Sequence, residues 1–322
     1  MDADDVAQVV ESLRQALTTD PSRARETLTD FGWSELLEDD SQVAVSALFS
    51  LRGELLTPGS ALDQVLLQAA GIVGLATDVR VVLPASGVSR PSSRHLGERE
   101  VKIDGVVQSG SGRVLVPCVD SADELTFAVC GQLEVIEGEP LDDAAGWRRV
   151  ETMQTADTVF DAAALGDDPA HVWDRMVAAG RRALSHELVA IAAAMEVMTV
   201  EHVRSRNQFG QALGSFQAVK HQLADVHLWR EVAALSAAAA WEDQGPESAA
   251  LAMAAAVRST RTARAVCQQL LGGMGFTWEH DFHRYLRRAL TLEPLLGGAS
   301  VLHAELGAAV RSGSISDALI SL

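Results

Sequence analysis

The sequence predicts an α+β protein in which helices come first, a small sheet follows, and long helices end the chain. Helical spacing of apolar residues fills about residues 5–77, short β-rich runs fill 79–150, and helical spacing returns after Asp161. Because helices and strands occur in separate blocks, the pattern favours a segregated arrangement over alternating βαβ units. The predicted domains are a reduced N-terminal helical region over 1–77, a small β-domain over 78–155 and a C-terminal helical bundle over 160–322.

The opening region has the periodicity of short amphipathic helices. The stretches "VAQVVESLRQAL" and "ALDQVLLQAAGIVGLA" repeat apolar residues at helical spacing, and Pro58-Gly59 breaks the pattern between them. We expect several short helices here.

The middle region changes to β-branched runs that close with Gly, Pro, Ser or Asp. These runs are "VRVVLP", "EVKIDGVV", "RVLVPCV", "LTFAVCG" and "LEVIEG". Their length and composition predict five or six strands before Val150.

The last region carries the longest helical patterns. An apolar stripe at alternating spacings of four and three residues predicts one helix face, formed by Leu184, Leu188, Ile191, Met195 and Met198. Two further stretches are rich in alanine and nearly free of helix breakers, which is typical of closely packed antiparallel helices. Pro169, in the acidic stretch "GDDPAH", is the expected lead-in to this region.

Charge and cysteine content limit the possible functions. The chain of 322 residues has 44 acidic and 26 basic residues, a net charge of -18, which argues against nucleic acid or an anionic membrane as a general partner. Three cysteines without paired spacing argue against a disulfide scaffold or a zinc site. The acidic N-terminus and the absence of an apolar run near the membrane-spanning length of about 18 residues predict a cytoplasmic protein without a membrane span.

One stretch, "RSRNQFGQALGSFQAVKHQLAD", interrupts the long helices with residues suited to binding an anion. Gly210 and Gly214 permit a tight reversal, and Ser215 is suited to cap the next helix. Arg206 stands three residues before Phe209 at a helix end, where a guanidinium and free N–H groups can bind phosphate and an aromatic ring can cover a heterocycle. An isolated Arg-x-x-Phe-Gly is more often a helix C-terminus with a charge on its dipole.

The wider stretch resembles the signature of the acyl-CoA dehydrogenase family, in which Arg-x-x-Phe-Gly, Phe-Gln and Lys-His-x-Leu-Ala-Asp follow in this order and spacing. A second segment, "QLLGGMGFTWEHDFHRYLRRA", is similar to the Gln-x-x-Gly-Gly-x-Gly stretch of that family. Taken alone, Gly272-Gly273 is typical of a helix C-cap, but paired glycines also let a pyrophosphate approach the backbone. The resemblance covers residues from about 170 to 312.

The resemblance implies an FAD enzyme of the acyl-CoA dehydrogenase fold, in which each FAD lies at a dimer interface. These two segments would reach the AMP and pyrophosphate end of the flavin held by the neighbouring subunit. The implied cofactor-binding residues are Arg206, Phe209, Gly210, Phe216, Gln217, Gln269, Gly272 and Gly273. Arg287 and Arg288 would face the partner or the nucleotide.

The catalytic base of the family is missing from both positions where the resemblance places it. The reaction is α,β-dehydrogenation of an acyl-CoA, in which a carboxylate removes the α proton while the flavin accepts the β hydride. Leu296 and Gly180 occupy the two base positions, so no catalytic residue is expected in this chain. Glu187 and Glu293 are fallback carboxylates, and each is more simply a solvated or bundle-edge charge.

The family's flavin-covering loop, Thr-Glu-Pro followed by Gly-Ser, also has no counterpart; "LPASGVSRPSSRHLG" stands near its place. The resemblance therefore implies the smaller, base-less subunit of an α2β2 acyl-CoA dehydrogenase of bacterial steroid catabolism, whose larger partner binds the acyl-CoA and whose flavin is reoxidised by a redox partner. A pseudoenzyme that binds no flavin, and a self-sufficient homotetramer with a displaced glutamate, are the alternatives. "WEHDFH" is interpreted as a structural turn and not as a metal site.

Overall fold

The computed structural model describes residues 2–20, 23–72, 79–136 and 138–315. Helices precede and follow a mixed sheet, so the predicted α+β class is confirmed. The predictions that fall on Met1 and on residues 21–22, 73–78, 137 and 316–322 lie outside the described residues.

The opening region forms short helices, as predicted. They are α1 (Ala3–Thr19), α2 (Ala24–Phe31), α3 (Trp33–Asp39), α4 (Ser41–Leu55) and α5 (Leu62–Ala70). Aspartates begin two of them, since the Asp2 carboxylate accepts from the Asp5 N–H and the Asp40 carboxylate from the Val43 N–H. Pro58-Gly59 lies between α4 and α5, where the break was expected.

A seven-stranded mixed sheet follows. Its strands are β1 (Arg80–Val81), β2 (Ser93–His95), β3 (Glu100–Gln108), β4 (Val114–Val119), β5 (Leu125–Cys130), β6 (Trp147–Thr155) and β7 (Thr158–Phe160). The order is β6-β3-β2-β4-β5-β7, with β1 also pairing with β4. The pairs β1–β4 and β2–β4 are parallel and the others are antiparallel. Apolar side chains of β3, β4 and β5 form the core of this region.

The sheet departs from the sequence prediction in three strands, since β2, β6 and β7 lie outside the predicted β-rich runs. The described residues of "LEVIEG" form no strand, and Trp147–Thr155 takes the place beside β3 in a nine-residue antiparallel register. β6 contains several charged and polar residues, so its strand pattern is weak in the sequence; it is held by ladder hydrogen bonds to β3 and by the buried side chains of Trp147 and Val150. Ile136 contacts this strand through one hydrogen bond from its N–H to the Arg149 carbonyl.

Long helices complete the chain. They are α7 (Pro169–Ser205), α8 (Gln217–Ala239), α9 (Pro246–Leu271), α10 (Phe282–Leu292) and α11 (Ala299–Ser312), with the short α6 (Ala162–Leu165) ahead of them. Four residues of the predicted stripe on α7 are at most 1% exposed, and Met198 is partly buried. The stripe is therefore a core face.

α7 is the one helix among the described residues that is long and apolar enough to cross a membrane by length and composition. Half of its most apolar 18-residue stretch is buried inside the protein. Core helices of soluble proteins pass the same test, so this helix is weak support for a membrane span.

The chain divides into two compact units. One contains Met1–Pro58, Arg182–Glu242 and Ala255–Glu293, and the other contains Gly59–Arg181, Asp243–Ala254 and Pro294–Leu322. The whole sheet lies in the second unit, while the hairpin after α7 and the end of α9 lie in the first. The three-domain division expected from the sequence remains a prediction.

Candidate functional site

The segment between α7 and α8, hereafter the hairpin segment (Arg206–Gln217), is a tight β-hairpin. Two-residue strands, Asn207–Gln208 and Gln211–Ala212, pair antiparallel around Phe209 and Gly210. Both turn residues have left-handed backbone conformations, with φ of 53° and 81°. Such a pair of positive φ values is the pattern of a type I′ hairpin turn. The predicted reversal is therefore present, and it falls on Phe209-Gly210.

The other predicted turn residues have different roles. Gly214 lies in the 3₁₀ turn Leu213–Ser215, where an added Cβ would be 3.2 Å from the Val203 carbonyl oxygen, so it permits close approach and not reversal. The expected cap is also wrong: the Ser215 hydroxyl donates to the Ala212 carbonyl at 2.6 Å. Phe216 precedes α8 without a side-chain cap.

Phe209 combines backbone strain with solvent exposure. Its φ of 53° is unusual for a bulky residue, and such strain costs on the order of 1–3 kcal/mol. The side chain is 91% exposed, and its ring contacts the edge of the Phe216 ring at a centroid distance of 6.3 Å. Burial therefore does not offset the strain, which is the pattern of a residue positioned for a ligand or a partner.

Arg206 lies at the start of this hairpin with its side chain exposed. Within the described part of the chain, its guanidinium has no hydrogen-bond or salt-bridge partner. The first N–H groups of α8 also lack a side-chain cap, and Gln217, the first residue of α8, is exposed. A cationic side chain beside uncapped helical N–H groups favours an anion such as phosphate.

The second predicted segment, hereafter the glycine turn (Gln269–Phe276), ends α9. Gly272 has a φ of 60°, and the chain continues as a 3₁₀ turn to Phe276. An added Cβ at Gly272 or Gly273 would meet no heavy atom within 4 Å, so the backbone here is open to a ligand. Gln269 is exposed on the last turn of α9.

Electrostatics connect the hairpin segment with the residues after the glycine turn. His202, in the last turn of α7, has a pKa below its ordinary value because burial, the charge of His280 and the charge of Arg206 all oppose its protonation. His280 follows the glycine turn closely in sequence, and both predicted segments belong to the same compact unit.

Two exposed aromatic side chains, one at the last residue of the glycine turn and one just after it, were missed by the sequence analysis. Phe276 is 74% exposed and Trp278 is 75% exposed. The available signal was a tryptophan among turn residues, where burial is not expected. Arg287 lies with its guanidinium carbon 5.2 Å from the centroid of the Trp278 ring.

Gly180 and Leu296, the two positions at which the sequence analysis expected the base to be absent, lie against each other. An added Cβ on Gly180 would be 2.4 Å from Cδ1 of Leu296 and 3.0 Å from Cδ2 of Leu66. Leu62, Leu66 and Leu296 are each 0% exposed. Apolar packing therefore fills the place where a carboxylate at either position would stand, and Leu296 adopts a φ of 55° there.

The loop that stands in place of the flavin-covering loop is bound to helices of its own unit. The Gly87 N–H donates to the Pro294 carbonyl, the Trp173 indole donates to the Ser89 carbonyl, and the Ser89 hydroxyl donates to Glu305 at 2.7 Å. Glu305 also pairs with the buried Arg181 at 2.8 Å.

A cavity of about 430 Å³ lies beside this loop. Its lining includes Trp173, Arg181 and Glu305 but neither Gly180 nor Leu296.

Glu187 is not placed to act as a base. Its carboxylate contacts Arg288 at 3.0 Å and Arg52 at 3.6 Å, and all three side chains are at most 3% exposed. The Arg288 guanidinium also donates to the Thr57 carbonyl at 3.2 Å. Arg288 therefore belongs to a buried network, hereafter the Glu187 network (Arg52, Glu187 and Arg288), and the expectation that it faces the partner or the nucleotide is wrong.

Glu293 is similarly engaged. Its carboxylate accepts hydrogen bonds from the Thr260 hydroxyl at 3.0 Å and the Arg261 guanidinium at 3.1 Å, and it lies 3.6 Å from Arg264. Its side chain is 5% exposed. Both fallback carboxylates are thus buried structural groups and not the solvated charges that the sequence suggested.

The polar turn "WEHDFH" is held by local contacts. His280 Nδ1 accepts from the Phe282 N–H, and His283 Nδ1 contacts the His280 carbonyl at 2.8 Å. Over the described ranges, no group of three or more His, Cys, Asp or Glu residues is arranged to hold a metal ion.

Comparison with known proteins relates this geometry to one family. Residues 172–310 match the family model for the acyl-CoA dehydrogenase C-terminal domain. The acyl-CoA dehydrogenase IpdE2 of Mycobacterium tuberculosis is 35% identical over 173 residues, which are 53% of this chain and 52% of that protein. The match thus spans about half the length of this relative.

Solved structures share the fold over nearly the whole chain. A variant of the Tcur3481-Tcur3483 steroid ACAD has a TM-score of 0.78 at 21% identity, covering 97% of this chain and 99% of its own. The ChsE4-ChsE5 complex from Mycobacterium tuberculosis has a TM-score of 0.71 at 18% identity, with 99% of each chain covered. The chain therefore has the fold of the acyl-CoA dehydrogenases, and its residues 172–310 match the C-terminal domain of that family.

Proposed function

We propose that this chain is one subunit of a heteromeric, FAD-dependent acyl-CoA dehydrogenase that introduces an α,β double bond into a bulky, steroid-derived acyl-CoA. The chain holds the AMP and pyrophosphate end of the FAD, and a larger partner subunit supplies the catalytic glutamate and the substrate pocket. The complex, an α2β2 heterotetramer, acts in the cytoplasm and passes electrons to a separate redox partner.

The observation that carries this proposal is the contrast between the two parts of the family's site. Arg206 and Phe209 are exposed, and Gly272 is open to a ligand. Both base positions are instead apolar and closed, because Gly180 packs against Leu296. A chain that can bind a nucleotide but cannot remove a proton is suited to a complex in which another chain performs the proton abstraction.

The relatives support the steroid and heteromer parts of the proposal. One structural neighbour is described as a steroid ACAD, and two neighbours carry paired names. IpdE2 is an acyl-CoA dehydrogenase related in sequence over half its length.

The residues of this chain fit the nucleotide end of FAD. Arg206 and the uncapped N–H groups of α8 would pair with the pyrophosphate, while Gly272 and Gly273 would let it approach the backbone. Phe209 and Phe216 would cover an apolar flank, and Gln217 and Gln269 would donate hydrogen bonds. The bound flavin supplies hydride acceptance from the β carbon, and the partner's carboxylate takes the α proton.

Two alternatives make different demands on the chain. A homotetramer with a displaced base would need Glu187 or Glu293 to reach a substrate, yet both are buried and held by arginines. A pseudoenzyme without flavin would not need Phe209 to be both strained and exposed.

The proposal is tested by purifying this chain alone and together with the product of the neighbouring gene. Native mass and flavin absorbance should show a 2:2 complex that contains FAD and oxidises acyl-CoA, whereas the chain alone should be inactive. Strong flavin absorbance and full activity from this chain by itself would exclude a division of the site.

Replacement of Arg206 tests the nucleotide end directly. Loss of a charge-assisted phosphate contact costs about 1.5–3 kcal/mol, so Arg206→Ala should weaken FAD binding by the complex by roughly ten- to hundredfold. Arg204→Ala, an exposed neighbour on the last turn of α7, is the matched control and should leave FAD binding unchanged. Unchanged FAD content in the Arg206 variant would favour the pseudoenzyme.

A further inference from the structure

Trp278 is exposed to solvent, and its ring contacts two side chains of α10. Three quarters of its side chain is open, with 75% exposure. Its ring centroid is 4.6 Å from that of His283 at an interplanar angle of 67°, and the Arg287 guanidinium lies 5.2 Å from the ring centroid. His283 and Arg287 are four residues apart on α10, so both reach the ring from one helix face.

An exposed aromatic ring with supporting contacts on one helix suits a planar ligand. Stacking against a ring that already makes such contacts avoids part of the entropy cost of ordering a side chain on binding. A guanidinium near the ring adds positive charge, which is compatible with a nucleotide that carries phosphates. These properties point to a purine base as the class of ligand.

The position of Trp278 along the chain relates it to the glycine turn. The compact 3₁₀ turn Gly272–Phe276 separates the ring from the open backbone at Gly272 and Gly273 by only a few residues. In FAD, one ribose separates the adenine ring from the pyrophosphate. A phosphate at the glycine turn therefore leaves the adenine within a short distance of the turn.

We propose that Trp278, positioned by Arg287 and His283, stacks on the adenine ring of the FAD whose pyrophosphate is bound by Arg206 and the glycine turn. This inference rests on the proposed function. It adds a residue that makes the site prefer FAD over a flavin without an adenine ring. A tryptophan–arginine pair is also a common anchor of protein interfaces, and that role is an outcome that the experiment separates.

The experiment uses the flavin-depleted two-chain complex, titrated separately with FAD and with FMN, which lacks the adenosine monophosphate part. Trp278→Leu keeps an apolar side chain without an aromatic face, and we expect about tenfold weaker FAD binding with no change in FMN binding. Trp278→Phe should retain most of the affinity. Trp229→Leu is the matched control, since Trp229 also lies under an arginine, Arg258, at 4.3 Å, and should leave FAD binding unchanged.

The outcomes of these titrations distinguish an adenine contact from a partner contact at Trp278. Equal losses for FAD and FMN, or no loss for Trp278→Leu, would overturn the adenine contact. Dissociation of the complex on native mass measurement would instead make Trp278 a partner contact and would also overturn it. If Arg206→Ala weakens FAD binding and Trp278→Leu does not, only this inference fails, and if neither does, the proposed function fails as well.

Discussion

The hairpin segment and the Gly180–Leu296 contact differ in how their side chains are packed: the first is strained and exposed, and the second is closely packed and buried. At the hairpin segment the chain leaves Phe209 strained and 91% exposed, with Arg206 beside it. At the Gly180–Leu296 contact it packs leucine side chains against a bare helix position, and the buried Arg181 guanidinium donates to the Leu296 carbonyl at 3.0 Å. Folding alone favours the packed arrangement. The strained and exposed hairpin segment therefore indicates a ligand or a partner at its surface.

The largest expected effect is on stability, and it comes from the Glu187 network, which is buried like the Gly180–Leu296 contact. Glu187→Gln would remove the carboxylate that pairs with the buried Arg52 and Arg288, and such losses cost about 3–5 kcal/mol of unfolding free energy. Urea unfolding of the full chain measures the change, with the exposed Glu201→Gln on the same helix as the control. A Glu187 variant of unchanged stability but abolished turnover would revive Glu187 as a base.

A second effect depends on pH. The pKa of His186 is lowered to about 4 by burial, and its Nε2 accepts a hydrogen bond from the Trp241 indole at 3.1 Å. Because the unfolded chain takes up this proton near pH 6.5, the stabilisation is complete above 6.5 and is lost as the pH falls toward 4, by up to about 3 kcal/mol.

The comparison of wild type with His186→Gln isolates this contribution. Glutamine can still accept from the indole but does not titrate, so its unfolding free energy should fall less steeply between pH 7 and 4. If the unfolding free energies of the two proteins had the same pH dependence, the loss of stability could not be assigned to His186.

A third effect tests the packing at the empty base positions. Alanine at Gly180 would place Cβ 2.4 Å from Leu296, and overpacking of this kind costs about 1–3 kcal/mol, partly offset by about 1 kcal/mol of helix propensity. With Leu296 already changed to alanine, Gly180→Ala should become stabilising. A double-mutant cycle with no coupling energy between the two substitutions would mean that the two positions do not touch.

The smallest expected effect is that of Phe209→Asn, which should raise stability and weaken FAD binding. Phe209→Asn gives the type I′ turn a residue that tolerates positive φ, so thermal unfolding should show a gain of about 1 kcal/mol. FAD retention by the complex should fall because the aromatic ring is lost. Gly210→Ala is the matched control and should lower stability, since its φ is 81°. A Phe209→Asn variant that gains stability and keeps its FAD would remove Phe209 from the site.

Local patterns predicted much of the fold and the position of the reversal. The stripe from Leu184 to Met195 is buried as expected, because periodicity along one helix determines which side chains share a face. β6 was missed because its stability comes from pairing with β3, and a sequence pattern does not show a partner strand.

The misplaced charges have a similar cause. Arg288 and Glu187 were predicted at the surface because isolated charges are rarely buried. They are buried as a pair, and the two partners of this pair are 101 positions apart in the sequence. The strain at Phe209, the ring contacts of Trp278 and the contact between Gly180 and Leu296 are likewise products of tertiary structure. Motif spacing located these regions without revealing which were open and which were closed.

A crystal structure of the FAD-loaded two-chain complex tests the central claim most directly. We expect the FAD phosphates within hydrogen-bonding distance of Arg206 and the glycine turn, with the isoalloxazine ring and the catalytic carboxylate in the partner subunit. An FAD bound wholly within one copy of this chain, or remote from both segments, would contradict the account.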